Sequence, residues 1–217
     1  MNNSLGTVSV LSVRLLEPTL ELVTKLEATQ HVEPNEVQAP PQENGYSCAI
    51  VTLNALLFES AINRVKYLRH EISNENQVKY FAKVTSNADL AEEVDEMITV
   101  RDTIVHNHLW EAEVYWDENH QLKFKSPPKL VEGFGNKRLR RVLNPKTRQS
   151  RKLNLNLYPL RIWRADAYTS LRVINRVLES LEDIDRNYFY ITGQQFMYRG
   201  NTQTLKQVIE TLPHLIS

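Results

Sequence analysis

Cysteine is almost absent. Cys48 is the single thiol in 217 residues, so no internal disulfide and no zinc ribbon can form. Glycine is scarce as well. The six glycines never cluster as GxGxxG or GxxxxGK, which removes the common phosphate-cradling loops. No HExxH occurs, and nothing marks a nucleophile elbow. Apolar runs are only a few residues long, against the roughly 20 a membrane-spanning helix needs. The opening MNNSLGTVSVLSVRLLEP has no basic leader and no apolar core, so a cytoplasmic chain with no membrane contact is expected. Net charge is also missing: 26 Lys+Arg balance 26 Asp+Glu. Taken alone, that balance argues against a nucleic-acid partner.

The distribution of charge reverses that inference. Positions 129–164 hold eleven bases and one acid, Glu132, a balance of +10; fifteen bases and twenty-five acids remain elsewhere. The densest part, 137–152, carries Lys137, Arg138, Arg140, Arg141, Lys146, Arg148, Arg151 and Lys152 with no acid. Such a run can neutralise phosphates and release their counterions, giving salt-dependent binding to nucleic acid. The blander reading is a solvated loop, or a strip paired with the acidic remainder of the chain. It holds no aromatic residue, so it is not a base-stacking platform.

Hydrophobic periodicity places helices along most of the chain. Apolar residues recur at helical steps over 8–28, where Pro18 should interrupt, so that the helix begins there. Positions 31–45 are polar and proline-rich and read as a linker. A long amphipathic helix follows over 46–73, with Ile50, Leu53, Leu57, Ala61, Val65, Leu68 and Ile72 on one face. Further helices are expected over 76–84, from the caps at Ser86, Asn87 and Asp89 to Leu109, over 164–187 and over 202–212. Positions 110–126 alternate as a β-hairpin around DENH, and 188–200 read as irregular. The expected architecture is mainly all-α, an antiparallel helical bundle with a β-hairpin and a basic insertion. Its parts are an N-terminal helix and linker (1–45) and a helical domain (46–217) with the insertion at 111–163.

The most informative stretch is VRDTIVHNHLWE, positions 100–111. Asp102 and His106 are four apart, on one helix face, where a carboxylate can fix an imidazole's tautomer. Arg101 lies on or near the apolar stripe, so it must be paired or face a partner. Arg101 and His106 stand five apart, about 140° round an ideal helix. One copy focuses both on a single phosphate only with a bend at the helix end or with a second chain.

Arg101 through His106 resembles the R-x4-6-H motif of HEPN domains (higher eukaryotes and prokaryotes nucleotide-binding), with a polar residue directly after the arginine. The motif ends a helix and follows a long amphipathic helix carrying Asn54 and Glu59, as that family's context requires. The resemblance covers about 46–110, with 164–187 and 202–212 as further helices of the bundle. It implies a metal-independent endoribonuclease without cofactor, acting as a homodimer in which two motifs meet. His106 would act as general base or acid at the ribose 2′-hydroxyl and the leaving 5′-oxygen, Arg101 would stabilise phosphoryl charge, and Asp102 would orient either. The products would carry 2′,3′-cyclic phosphate and 5′-hydroxyl ends. Bases in 137–152 would hold the RNA backbone. Toxin–antitoxin or antiviral defence roles, with an antitoxin or regulatory partner, also follow from the resemblance. One departure stands out. Nucleotidylated toxins of this family often carry tyrosine two positions after the motif histidine, where this chain has His108. His108 and Asn107 are therefore auxiliary candidates. The alternative is a HEPN-type module that binds RNA or protein without cutting. A DNA-contacting regulator is a third reading, and no helix-turn-helix supports it.

Overall fold

The computed structural model describes residues 12–71, 74–106, 110–131, 133 and 137–215. Seven helices are present among them, and the chain is mainly α-helical. Helix α1 (Ser12–Ala28) runs straight through Pro18 rather than starting there. Pro18 is exposed, so the carbonyl it leaves without a helical partner can be hydrated. Leu16, Leu20, Val23 and Leu26 form the buried stripe on the other side.

Helix α2 (Pro41–Leu68) begins five residues before the expected start and ends five before the expected end. Proline at a first helical position explains the early start: its missing N–H is not needed there, and its φ is already helical. The preceding stretch is not free of the bundle. Val37 and Ala39 are buried, Ala39 N donates to Leu160 O at 2.8 Å, and the Asn35 side chain accepts from Val37 N and Gln38 N. Among the described helices α2 alone is long and apolar enough to cross a membrane. Half of its most apolar window is buried against the rest of the chain, as in the core helix of a bundle.

Helix α3 (Gln77–Thr85) is capped by Asn76, and α4 (Ala88–Val105) by Asn87, whose side chain accepts from Leu90 N. Helix α6 (Arg164–Ile184) packs along α2. Their cross-contacts climb together: Glu43 with Arg164, Asn54 with Ser170, Arg64 with the carbonyl of Asn187. These two helices therefore run in the same direction. The bundle is not antiparallel throughout. α1 and α4 run against them, since Thr29 at the end of α1 and Glu43 at the start of α2 both meet Arg164, while Glu93 near the start of α4 meets Arg176 well along α6.

The insertion begins with the expected hairpin. Strands β2 (Val114–Trp116) and β3 (Leu122–Phe124) pair antiparallel, with Asp117 Oδ1 accepting from the backbone N–H groups of Asn119 and Gln121 in the turn. Pairing resumes beyond the two prolines, where β1 (Trp110–Glu111) meets β4 (Lys129–Leu130). The basic stretch contains a short helix, α5 (Lys137–Val142), whose Leu139 and Val142 are buried. A second small core joins them to Val51 of α2, Val100 of α4 and Leu155, Leu157 and Ile162. Towards the C-terminus, 188–200 contains a strand the spacing does not reveal. β5 (Phe196–Tyr198) and β6 (Asn201–Gln203) form a hairpin about Arg199 and Gly200, both at positive φ. Helix α7 (Leu205–Thr211) follows, capped by Thr204 with Gln207.

Candidate active site

The last turn of α4 carries the motif, and three segments converge on it. Arg101 is largely buried, its side chain 16 % exposed, and its guanidinium donates to the Glu59 carboxylate on α2. Its Nε lies 3.5 Å from Asp102 Oδ1 but makes no hydrogen bond, although it is buried. Asp102 is itself buried. Its Oδ1 also faces His106 Nε2, at 4.0 Å, while its Oδ2 accepts from Arg138 Nη1 at 3.2 Å. Arg138 comes from α5, so the insertion reaches into the site. His106 caps α4, its N–H donating to Asp102 O at 3.0 Å, and its side chain is 59 % exposed.

This layout addresses the angular problem between Arg101 and His106. His106 sits at the cap, where the helical path ends, and the single carboxylate of Asp102 stands within 4.0 Å of both side chains. A buried carboxylate flanked by two arginines and a histidine is held in one orientation. The imidazole remains open to a ligand, and a buried N–H of Arg101 remains unmatched.

Asn107 and His108 lie outside the described residues. The eight basic candidates divide by environment. Arg138 and Arg141 both hold Asp95, and Lys152 Nζ holds Asp89 at 2.9 Å and Glu92 at 3.3 Å. Arg151 Nε donates to the carbonyl of Arg141. Arg148 lies over the Phe124 ring, 5.2 Å from its centroid. Lys137, Arg140 and Lys146 are exposed and form no ion pair among the described residues. Part of the basic run is thus paired with the acidic face of α4, and part projects outward. Its return path is fastened by Glu96. That buried carboxylate accepts from Ser150 Oγ at 2.6 Å and from the backbone N–H groups of Lys152 and Leu153, both at 2.8 Å.

Two contributors escape a reading by spacing. Glu59 lies 42 positions before its partner Arg101, and Arg138 lies 36 positions after Asp102. Only the packing of α2, α4 and α5 brings them together. Among the described residues, no group of three His, Cys, Asp or Glu side chains is placed to hold a metal ion. No protein-family model, curated protein or solved structure matches the chain.

Proposed function

We propose that the chain is a metal-independent endoribonuclease of HEPN type, working as a homodimer. The observation that carries this reading is the convergence of Arg101, His106, Glu59 and Arg138 around the buried carboxylate of Asp102. In the reaction, one His106 removes the proton of a ribose 2′-hydroxyl. The 2′-oxygen attacks the adjacent phosphorus, and the bond to the 5′-oxygen breaks. A second imidazole, from the other copy, returns a proton to that oxygen. Arg101 meets the charge growing on the non-bridging oxygens. Asp102 Oδ1, 4.0 Å from His106 Nε2, orients the imidazole as that gap closes to a hydrogen bond, and Arg138 and Glu59 hold Asp102 and Arg101. A dimer face beside the motif is supported by two exposed apolar side chains: Leu56, one turn before Glu59, and Val105, next to His106, are 41 % and 51 % exposed.

The test is incubation of the purified chain with RNA in EDTA. The native chain should release fragments ending in 2′,3′-cyclic phosphate. Arg101→Ala and His106→Ala should each lose about 10²-fold or more. RNA left intact by the native chain would sink the reading. The second reading, a module that binds without cutting, is favoured by one feature: the Arg101 guanidinium already has a carboxylate partner in Glu59. RNA retention that survives both substitutions, with no cleavage by any form, would select it.

A further inference from the structure

An open groove of about 990 Å³ lies between α3, α4 and α5, beside the motif. Its apolar lining is small: Val78 and Ala82 from α3, Ala88 and Ala91 from α4, Val142 from α5. Its polar lining is unbalanced. Six bases face three acids, and each acid is already engaged. Asp95 is held by Arg138 and Arg141, Glu92 by Lys152, and Glu96 by Ser150 and two backbone N–H groups. Lys79, Lys137 and Arg151 are exposed, and none has a carboxylate partner among the described residues. Lys79 stands on α3, across the groove from Lys137 on α5. The unmet charge on the two walls calls for an anion that runs between them.

We propose that this groove is the track for a single-stranded RNA backbone, with Lys79, Lys137 and Arg151 as phosphate contacts. The proposal rests on the reading of the chain as an RNA-acting protein and adds where the strand lies. An open groove suits a continuous chain better than an enclosed small molecule, which pockets bury on most sides. No aromatic residue lines it, so bases are not stacked there and the grip is indifferent to sequence. Arg138 connects groove to site: it lines the groove, bonds Asp95 within it, and reaches Asp102 beyond it. A strand in the groove therefore leads towards His106. Lys79 is outside the basic run and thus invisible to a count of charge along the chain.

The experiment uses the full chain carrying His106→Ala, so that RNA survives, and a fluorescent single-stranded oligoribonucleotide followed by anisotropy across a salt series. Lys79→Glu with Lys137→Glu should weaken binding tenfold or more. It should also flatten the plot of log affinity against log salt by about 1.4, two contacts at about 0.7 each. Both lysines are exposed and make no described side-chain hydrogen bond, so the fold should persist, which circular dichroism checks. Lys206→Glu, the same kind of charge change on exposed α7, should leave affinity within twofold. The proposal is overturned if the double variant binds like its parent, if Lys206→Glu weakens binding equally, if no RNA binds, or if poly-glutamate of matched charge competes as well as RNA. Binding by the groove without cleavage by the native chain would sink the ribonuclease reading and keep the track. Cleavage by the native chain, unaltered in KM by the double substitution, would do the reverse.

Discussion

At the scale of single residues, a partly buried thiol and a buried ion pair have measurable consequences. Burial pushes the Cys48 thiol up to about 12, with the Asp166 charge adding to the effect. Its thiolate fraction at pH 8 is then about 10⁻⁴, and the thiolate is the reactive form. Iodoacetamide should leave Cys48 unmodified in the folded chain at pH 8 and label it readily in urea; rapid labelling of the folded chain would refute this. The second group is the ion pair of Glu43 and Arg164. It is bidentate, with Nε to Oε1 at 2.7 Å and Nη2 to Oε2 at 2.8 Å, and both residues are buried. Removing one partner strands the other charge in the interior, at about 3–5 kcal/mol. Glu43→Ala should lower the urea midpoint accordingly, and a loss below about 1 kcal/mol would show that water reaches the arginine. The motif itself was legible at this scale. Arg101, Asp102 and His106 announce themselves by type and spacing. The partners that fix them do not, because Glu59 and Arg138 arrive through tertiary packing.

At the scale of elements, helical spacing located α3, α4 and α6 well; α3 and α6 each bury one face, α4 is buried nearly all round, and α3 and α4 have an asparagine cap. Errors collected around proline and short strands. Proline ends a helix only where its clash or lost bond cannot be absorbed. Pro18, on the exposed side of α1, is absorbed, and Pro41 starts α2 instead of preceding it. Pro18 still removes one helical hydrogen bond. Pro18→Ala should restore it. The gain of about 3 kcal/mol for an interior position, less about 0.4–1 kcal/mol from a freer unfolded chain, leaves about 2 kcal/mol of stabilisation. Calorimetry should show a Tm higher by several degrees; an unchanged or lower Tm would mean that the helix is already bent to suit the ring. The β5–β6 hairpin was missed because three-residue strands carry too little alternation and only Gly200 of the Arg199-Gly200 pair marks a positive-φ turn.

At the scale of the whole molecule, the charge pattern and the site belong to one argument. The basic stretch 137–152 lies against the acidic face of α4, and Lys137 and Arg151 from it line a groove that Arg138 links to Asp102. Self-association is the corresponding prediction. Leu56→Glu places a charge on the exposed face beside Glu59, where it cannot disturb the core. It should weaken dimerisation at least tenfold in sedimentation velocity and reduce cleavage with His106 intact. A native chain that sediments as a monomer at micromolar concentration would exclude a site shared between copies. The parallel run of α2 and α6 has a further consequence. Parallel neighbours align their dipoles, and their two partial positive poles meet at one end of the bundle. The third residue of each helix is an acid, Glu43 in α2 and Asp166 in α6, and both are buried at that pole. At the opposite pole Arg64 donates to the carbonyls of Asn187 and Tyr188, just beyond the end of α6. Asp166 at one end and Arg64 at the other thus carry charges of the sign the dipoles require, while Glu43 is neutralised at its pole by the buried Arg164.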